Sequence, residues 1–399
     1  MSKIVLYNQE KDCCGCGACA NICPKLAITM KENQYGFVYP EIDESKCVSC
    51  KLCQKICAFQ SMNPIDNCVL DAYAGVSIDT DVMKSASGGI FASIAQSFLK
   101  NGGIVFGSAL IYQEGKLVPK CISVSNETDL VKLLGSKYVH SSMENCFCEM
   151  KQKLNQGKSV LFCGTPCQVD AVKHFVGKKN AGNLYCIDII CHGVPAARFF
   201  QDYIRQLEKK YGKKILDFKF RYKREVWRIC IKFGNYLKNK YIYFNESSYY
   251  YFFINGAIQR ENCYHCKYAC TNRIGDLTIG DYWGIEKMHP EYLRGIKGMK
   301  PSKGISCILV NTDQGEKLLS KYGDGLDIRK SELSKIIPKN KQLTSPNNVH
   351  PSRKVIFDLY NQNGYESVER YFRKYRGASL WIDKIRNRRM TVLKKLKFR

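Results

Sequence analysis

The feature that most constrains this chain is a pair of cysteine runs with identical spacing. In each run, four cysteines are separated by two, two and three residues. The first run consists of Cys13, Cys16, Cys19 and Cys23, and the second consists of Cys47, Cys50, Cys53 and Cys57. Two-residue gaps let successive thiolates surround one metal cluster, and the three-residue gap leads into a short helix. Pro24 ends that helix after the first run, and Ala58 takes its place after the second.

Paired runs of this kind hold two [4Fe–4S] clusters, and the fourth cysteine of each run ligates the cluster of the other run. The first cluster is therefore predicted on Cys13, Cys16, Cys19 and Cys57, and the second on Cys47, Cys50, Cys53 and Cys23. Two zinc sites are the alternative, because zinc sites also use Cys-x2-Cys pairs. Two tandem four-cysteine runs with crossed spacing favour the clusters, and they leave Cys14 without a role.

Composition indicates a reducing compartment. The chain has 399 residues and 22 cysteines. Its N-terminus, MSKIVLYNQEKD, lacks the basic and apolar regions of a signal peptide, and no apolar run approaches the roughly 18 residues needed to span a bilayer. We therefore expect a cytoplasmic protein whose thiolates bind metal instead of forming disulfides.

The chain is strongly basic. Its formal net charge is +26, and two clusters that carry about −2 each would reduce this to roughly +22. An acidic protein partner, an anionic lipid surface and nucleic acid are all compatible with such a charge.

After the cysteine runs, strands and helices alternate, which predicts a mixed or mostly parallel sheet covered on both faces. Ligands of such sheets bind beyond the carboxyl ends of the strands, near helix N-termini. Two glycine-containing loops fall there, at 85–89 and 164–168. Either phosphate binding or plain turn geometry accounts for them.

Three segments follow from this pattern. We expect an α+β ferredoxin-type dicluster module at 1–62, an α/β domain with a mixed sheet at 70–345, and a basic helical tail at 346–399. The α/β domain divides into parts at about 70–150 and 155–345, and residues 60–67 have the composition of a linker.

A less regular cysteine set lies within the α/β segment. Cys263 and Cys266 form a further Cys-x2-Cys pair, and Cys163, Cys167 and Cys191 lie at predicted strand ends. A third [4Fe–4S] cluster on the pair and two of those three residues is therefore predicted, with Cys191 and Cys167 as the chosen ligands.

Six short motifs occur in a fixed order along the chain. They are SASGG at 85–89, GSKYV at 135–139, GTPCQ at 164–168, CHGVP at 191–195, CYHC at 263–266 and IGDYWG at 279–284. Together with the cysteine runs, they make residues 1–345 resemble a bacterial member of the coenzyme F420 hydrogenase/dehydrogenase beta-subunit family.

The resemblance implies an FAD-binding domain behind the dicluster module, and hence an iron–sulfur flavoprotein oxidoreductase. Electrons would pass from an acidic ferredoxin or a partner oxidoreductase subunit through the clusters to FAD. The acceptor would be a two-electron partner, either the deazaflavin coenzyme or another small molecule. Many bacterial members of the family are encoded among polysaccharide-biosynthesis genes, so a glycan-pathway substrate is one such molecule. A non-catalytic electron-transfer subunit that serves a partner enzyme is the alternative function.

The resemblance also implies a set of site residues. Those at motif positions expected near the flavin are Ser87, Gly88, Gly89, Lys137, Tyr138, Gly164, Thr165, Gln168, Asp276 and Asp281. Lys137 and His192 are the candidate catalytic residues. The alternatives are an exposed surface lysine and a hydrogen-bonded structural histidine.

The C-terminal end is basic and interleaved with apolar residues, among them Leu380, Trp381 and Ile385. Such a helix either lies on an anionic membrane surface, here the inner face of the membrane, or docks on the body of the protein as a solvated helix. Nucleic-acid binding is disfavoured because no recognised module accompanies the charge.

Overall fold

The structure is a computed structural model that describes residues 4–60, 67–79, 85–223, 228–234, 239–295 and 298–397, with side chains described up to residue 389. The predicted linker at 60–67 lies mostly outside the described residues. Within them the predicted fold class is confirmed, because a dicluster module, an α/β domain with a mixed sheet and a helical C-terminal segment follow one another.

The dicluster module consists of a hairpin and two short helices. Strands β1 (Ile28–Glu32) and β2 (Val38–Ile42) pair antiparallel. Gly36 closes the turn between them with a φ of 81°, a left-handed conformation that glycine adopts without strain. Helix α1 (Ala18–Ile22) carries Cys19, and helix α2 (Leu52–Lys55) carries Cys53.

An eight-stranded mixed sheet forms the centre of the α/β domain. The remaining strands of the chain are β3 (Asp71–Ser77), β4 (Ile104–Gln113), β5 (Lys116–Val124), β6 (Val160–Gly164), β7 (Leu184–Ile189), β8 (Ile215–Tyr222), β9 (Arg228–Phe233), β10 (Lys240–Tyr243), β11 (Leu277–Asp281), β12 (Ser306–Val310) and β13 (Leu326–Ser331). The order in the large sheet is β13-β3-β12-β11-β7-β6-β4-β5. Strands β4, β6, β7 and β11 run parallel to one another, and the outer strands on both sides pair antiparallel.

Helices cover both faces of this sheet. The helices that follow α2 are α3 (Ile90–Lys100), α4 (Glu127–Leu130), α5 (Cys146–Asn155), α6 (Pro166–Val176), α7 (Ala197–Tyr211), α8 (Ser248–Ile254), α9 (Ile285–Met288), α10 (Asp313–Tyr322), α11 (Leu333–Ile336) and α12 (Arg353–Lys397). Phe98 of α3 and Leu318 of α10 pack in one apolar cluster with the sheet, whereas Phe147 of α5 and Val172 of α6 pack in another. The parallel strands are therefore buried between two helical layers, as their continuous apolar sequences require.

A second sheet, β10-β9-β8, is antiparallel. The sequence predicted only short β-like runs here. Helices α7, α8 and α12 cover the sheet, and aromatic side chains such as Phe200, Tyr249, Phe252 and Phe357 fill the space between them. This aromatic core fixes β8 and its basic end beside the large sheet.

Helix α12 is not continuous. Gly364 and Gly377 have φ values of 68° and 45°, which interrupt the helix and divide it into three segments. Among the described residues, no helix combines the length and the apolar character that a membrane crossing requires.

Candidate active site and cluster sites

A cavity of about 270 Å³ lies where the parallel strands β6, β7 and β11 end. Its walls come from the loops 85–87, 135–141, 164–168 and 189–194, together with residues around 263 and 280. Carboxyl ends of parallel strands meet at one edge of a sheet, and the loops that follow them leave backbone N–H groups unpaired. All six motifs, at 85–89, 135–139, 164–168, 191–195, 263–266 and 279–284, thus contribute to one cavity.

The predicted ligands of the second cluster share one site. Cys23, Cys47, Cys50 and Cys53 line a single small cavity between α2 and the hairpin. Burial raises the pKa of Cys53, and the nearby thiols of Cys50 and Cys23 add to that effect. The backbone N–H of Ala27 donates to Cys23 Sγ at 3.3 Å, the kind of bond that stabilises a cluster thiolate.

The ligands predicted for the first cluster also approach one another. Burial, together with the neighbouring thiols of Cys13 and Cys57, raises the pKa of Cys19 to about 12. The N–H of Gly15 donates to Cys13 Sγ at 3.4 Å. Cys57 therefore lies near Cys13 and Cys19 of the first run, although it belongs to the second.

Four further cysteines converge on the main cavity. They are Cys167 at the start of α6, Cys191 after β7, and Cys263 and Cys266 in the segment before β11. Burial, with the neighbouring thiols of Cys263 and Cys167, raises the pKa of Cys191 well above its usual value. The same two causes, burial and adjacent thiols, raise the pKa of Cys263 to about 12 and of Cys266 to about 11. Buried thiols that disfavour one another's ionisation fit a metal cluster, because iron neutralises the thiolates it binds.

Among the described residues, no group of three or more His, Cys, Asp or Glu side chains is close enough to hold a single metal ion. Cys163 also lines the main cavity, beside the third cysteine set. Burial raises the pKa of Cys163 to about 12, and its charged neighbours are Asp188 and Lys137. Cys270 stands apart, with Sγ 3.1 Å from the carbonyl oxygen of Asn272.

Cys14, which has no role in the cysteine spacing, lies between the dicluster module and the third cysteine set. Its side chain is buried and lines the main cavity. A hydrogen bond with the Cys16 thiol is the largest cause that holds the pKa of Cys14 well above its usual value, and a second hydrogen bond with Cys167 opposes it. Cys14 therefore contacts one predicted ligand of the first cluster and one of the third.

Several of the predicted flavin residues line the cavity. They are Ser87, Lys137, Tyr138, Gly164, Thr165, Gln168 and Asp281. The side chains of Thr165 and Gln168 are engaged in capping α6, since Gln168 Oε1 accepts from Thr165 N at 3.2 Å and from its Oγ1 at 3.0 Å. Few backbone donors remain at the start of α6, because Pro166 has no N–H and the N–H groups of Gln168 and Val169 both donate to the carbonyl oxygen of Thr165.

Gly88, Gly89 and Asp276 are not among the cavity-lining residues. Gly88 N donates to Ser306 Oγ at 2.9 Å, and Gly89 begins α3 with a φ of 85°. Asp276 is buried beneath the sheet edge, where it accepts from Cys186 N at 2.7 Å and from Lys173 Nζ at 2.9 Å. These contacts give Asp276 a structural role in joining α6, β7 and β11.

Asp281 faces the cavity as one half of an ion pair that the sequence did not suggest. Arg221 at the end of β8 donates to both of its carboxylate oxygens, at 2.7 and 3.0 Å. Lys223, two residues further, donates to the carbonyl oxygen of Ser87. Burial and the nearby Arg221 lower the pKa of Lys223 to about 8. The second sheet thus brings two cations to the edge of the cavity, and no motif in the sequence marks them.

Lys137 and His192, the candidate catalytic residues, both face the cavity. Burial lowers the pKa of Lys137 to about 7, against the opposing charges of Cys163 and Asp217. Lys137 Nζ donates to the carbonyl oxygen of Leu134 at 2.9 Å. Burial likewise lowers the pKa of His192, although Asp281 opposes it. Near neutral pH, Lys137 can therefore donate or accept a proton, whereas His192 is neutral.

Comparison with known proteins identifies two segments. The family described as the C terminus of the coenzyme F420 hydrogenase/dehydrogenase beta subunit matches residues 157–335. The family described as 4Fe-4S dicluster domain matches residues 12–61. These segments contain both cysteine runs, the third cysteine set and most of the main cavity.

Individual relatives are distant. The chain is similar to the F subunit of the F420H2 dehydrogenase of Methanosarcina mazei, with 23% identity over 198 residues. The match covers 47% of this chain and 56% of that protein, so the chain matches little more than half the length of this relative. A chain of the xenon-derivatised F420-reducing [NiFe] hydrogenase complex from Methanosarcina barkeri is also similar. The alignment covers 77% of this chain and 93% of the hydrogenase chain, with 13% identity and a TM-score of 0.44. Similarity at that level supports no conclusion about fold or function.

Proposed function

We propose that this chain, which matches the coenzyme F420 hydrogenase/dehydrogenase beta-subunit family over residues 157–335 and the 4Fe–4S dicluster domain over residues 12–61, is an iron–sulfur flavoprotein oxidoreductase. It would take single electrons from a low-potential donor at the dicluster module and deliver pairs of electrons to a small organic acceptor. The proposed units are the module at 1–62, the α/β domain at 70–345 and the tail at 346–399.

One observation carries this proposal. The third cysteine set and the residues expected at the flavin line the same cavity, so that Cys167 and Cys191 lie in one space with Ser87, Lys137 and Arg221. Cys14 then connects that space to the dicluster module. Such a continuous arrangement suits a chain that moves electrons inward from its N-terminal module.

The donor sets fit the proposed groups. Thiolates of Cys13, Cys16, Cys19 and Cys57, of Cys47, Cys50, Cys53 and Cys23, and of Cys167, Cys191, Cys263 and Cys266 would hold three [4Fe–4S] clusters. The residues at the main cavity suit FAD, because Lys137 and Arg221 line it and would supply positive charge for the diphosphate. Bound there, clusters would pass single electrons and a flavin would exchange them in pairs.

The chain's own residues have defined tasks. Arg221 is held by Asp281 and presents positive charge at the cavity edge. Lys223 ties the 85–87 loop to the second sheet, which fixes one wall. Lys137 is the group whose ammonium can give a proton to a bound acceptor near neutral pH, because its pKa is about 7.

The tail has a face that suits an anionic membrane surface. In its last segment, Leu380, Asp383 and Asn387 point to the body of the protein, where Asn387 Nδ2 donates to Asn245 Oδ1 at 3.1 Å. Trp381 and Ile385 lie on the opposite side and are exposed. Arginines and lysines flank them, so we propose peripheral contact with anionic lipid, and an acidic protein as the electron donor.

The proposal is tested by anaerobic purification followed by flavin analysis. The full chain is expected to contain about one FAD with iron and sulfide, and dithionite should bleach the flavin band. A preparation that contains clusters but neither retains nor takes up flavin would overturn the enzyme and favour the electron-transfer subunit. Acceptor screening with the deazaflavin coenzyme and with glycan precursors then separates the two substrate classes.

A further inference from the structure

Arg260 is a buried arginine at the junction of the dicluster module and the α/β domain. Its side chain is only 1% exposed. Nε donates to the carbonyl oxygen of Cys13 at 2.8 Å, and Nη2 donates to that of Val38 at 2.9 Å. Its backbone N–H donates to the carbonyl oxygen of Val194, in the loop after β7, at 2.9 Å. One side chain of the α/β domain is thereby fixed inside the module.

The positive charge of Arg260 has no carboxylate in ion-pair contact among the described residues. The Nη1 atom of Arg260 is buried and has no hydrogen-bond partner among the residues that the structure describes. The guanidinium lies 4.0 Å from the ring centroid of Tyr39, which supplies a weaker attraction. Burial of an uncompensated cation costs several kcal/mol, so a negative group at this place would stabilise the arrangement.

Gly15 makes room for the guanidinium. A Cβ atom at this position would stand 2.8 Å from Arg260 Nη1, and the φ of Gly15 is 70°. Gly15 lies between Cys14 and Cys16, inside the loop that surrounds the first cluster site. The unpartnered Nη1 is therefore packed against the backbone of that loop.

Arg260 makes hydrogen bonds to cysteines on both sides of the junction. Its side chain donates to the carbonyl oxygen of Cys13 at the first cluster site, and its own carbonyl oxygen accepts from Cys263 N, in the third set, at 3.0 Å. The residues that line the second cluster site do not include Arg260. The guanidinium therefore lies next to the first cluster site and not next to the second.

We propose that Arg260 is a fixed positive charge that raises the reduction potential of the first cluster above that of the second. Reduction adds one negative charge to a cluster, and a buried cation nearby stabilises that charge. The external reduced donor would supply one electron to the second cluster. That electron would then pass to the first cluster, and no bond would be made or broken. Electrons would collect at the end of the module that faces the main cavity. The inference rests on the proposed electron path, and Arg260 acts in it as a positioning residue.

Potentiometric titration of the anaerobically prepared full chain, followed by electron paramagnetic resonance, tests the proposal. The Cys266→Ala background removes a ligand of the third set, so that the two potentials of the dicluster module are read alone. In Arg260→Met, the higher of the two reduction potentials, assigned to the first cluster, is expected to fall by about 59 mV. For a one-electron couple this corresponds to a tenfold change in the equilibrium between the oxidised and reduced cluster. The lower potential should not move, so the gap between the two narrows.

Two further variants separate charge from packing. Arg260→Lys keeps the charge and is expected to stay nearer the wild-type potential than the methionine variant. Arg353→Met removes a half-buried arginine of the same region, which donates to the carbonyl oxygen of Gln259 at 2.6 Å and pairs with Glu261, and should leave both potentials unchanged.

An Arg260→Met chain with full iron content and unchanged potentials would overturn the proposal. If that variant does not retain its clusters, Arg260→Gln replaces it and is judged by the same criterion. An Arg260→Lys chain whose potential falls as far as that of the methionine variant would be equally contrary. Flavin is measured on separate samples that keep Cys266. Its absence there would contradict the proposed enzyme while leaving the comparison of cluster potentials intact.

Discussion

At pH 7, about half of the Lys137 side chains are expected to be neutral in the flavin-free chain, because burial lowers the pKa of this lysine to about 7. A lysine with the ordinary pKa of about 10.4 has roughly one neutral amine in 2,500 at that pH. The neutral fraction at Lys137 is therefore on the order of a thousandfold larger. At about 1.4 kcal/mol per pH unit, the difference between the two pKa values corresponds to about 5 kcal/mol by which the cavity disfavours the ammonium.

The sign of the effect on stability follows from this difference. Between about pH 7 and pH 10.4 the unfolded chain binds the proton of Lys137 while the folded chain has released it, so stability rises with pH across that window. Lys137→Met removes the buried amine. The variant is expected to be more stable than the wild type at pH 7 and below, and the gain should vanish as the pH approaches about 10.4.

Site-resolved labelling measures the pKa directly. Brief exposure to an amine-reactive reagent over a range of pH, followed by peptide mass spectrometry, should give Lys137 a reactivity midpoint near its pKa of about 7. Lys173 is the internal control. Burial alone would lower the pKa of Lys173, but Cys186 and Asp276, which is the ion-pair partner of Lys173, raise it above its usual value. A Lys137 midpoint at or above about pH 9, where ordinary lysines begin to react, would refute the reasoning.

Three further predictions concern stability and binding. Arg273→Met leaves the buried carboxylate of Asp188 without its ion-pair partner at 2.8 Å. The free energy of unfolding, measured in urea, should fall by about 3–5 kcal/mol, and a loss below about 1 kcal/mol would show that the pair contributes little to stability. Gly88→Ala places a Cβ atom 2.3 Å from a backbone oxygen, and should cost about 1–3 kcal/mol. The control Gly182→Ala has no atom within 4 Å of the added Cβ and is expected to change stability by about 0.5 kcal/mol or less; a loss of similar size in both variants would contradict this explanation. Trp381 is 66% exposed, so Trp381→Ser should reduce co-sedimentation with phosphatidylglycerol vesicles by about threefold. If the wild-type chain binds phosphatidylcholine vesicles as well as phosphatidylglycerol vesicles, an electrostatic contribution is excluded.

The sequence predicted the fold class well because its main signals are local. The cysteine spacing alone specifies the dicluster module, and the continuous apolar strands at 160–164 and 184–189 indicate a sheet buried on both faces. The three-stranded sheet β8–β10 was not predicted. Strand β8 alternates charged and aromatic residues. The sheet packs against α8 and against α12, which begins more than a hundred residues after β10, and no local pattern contains such a contact.

The same limit applies to the candidate site. Residues in glycine-containing loops, such as Lys137, could be placed at the strand ends from motifs. Arg221 and Arg260 could not, because each reaches the site from an element whose position depends on tertiary packing. Asp276 shows the converse, since its motif suggested the flavin but its carboxylate is used by Lys173 and the Cys186 amide. Cys14 cannot be told from the other cysteines by residue type, and only the fold shows where its side chain lies.

The central claim is that three [4Fe–4S] clusters and one flavin act together in this single chain, and an anaerobic reductive titration tests it most directly. Stepwise addition of a low-potential reductant to the full chain, monitored by visible absorbance, counts the electrons that each chain accepts. One electron for each of three clusters and two for the flavin predict a total of about five. Saturation at about two electrons per chain, with no flavin band bleached, would contradict the account.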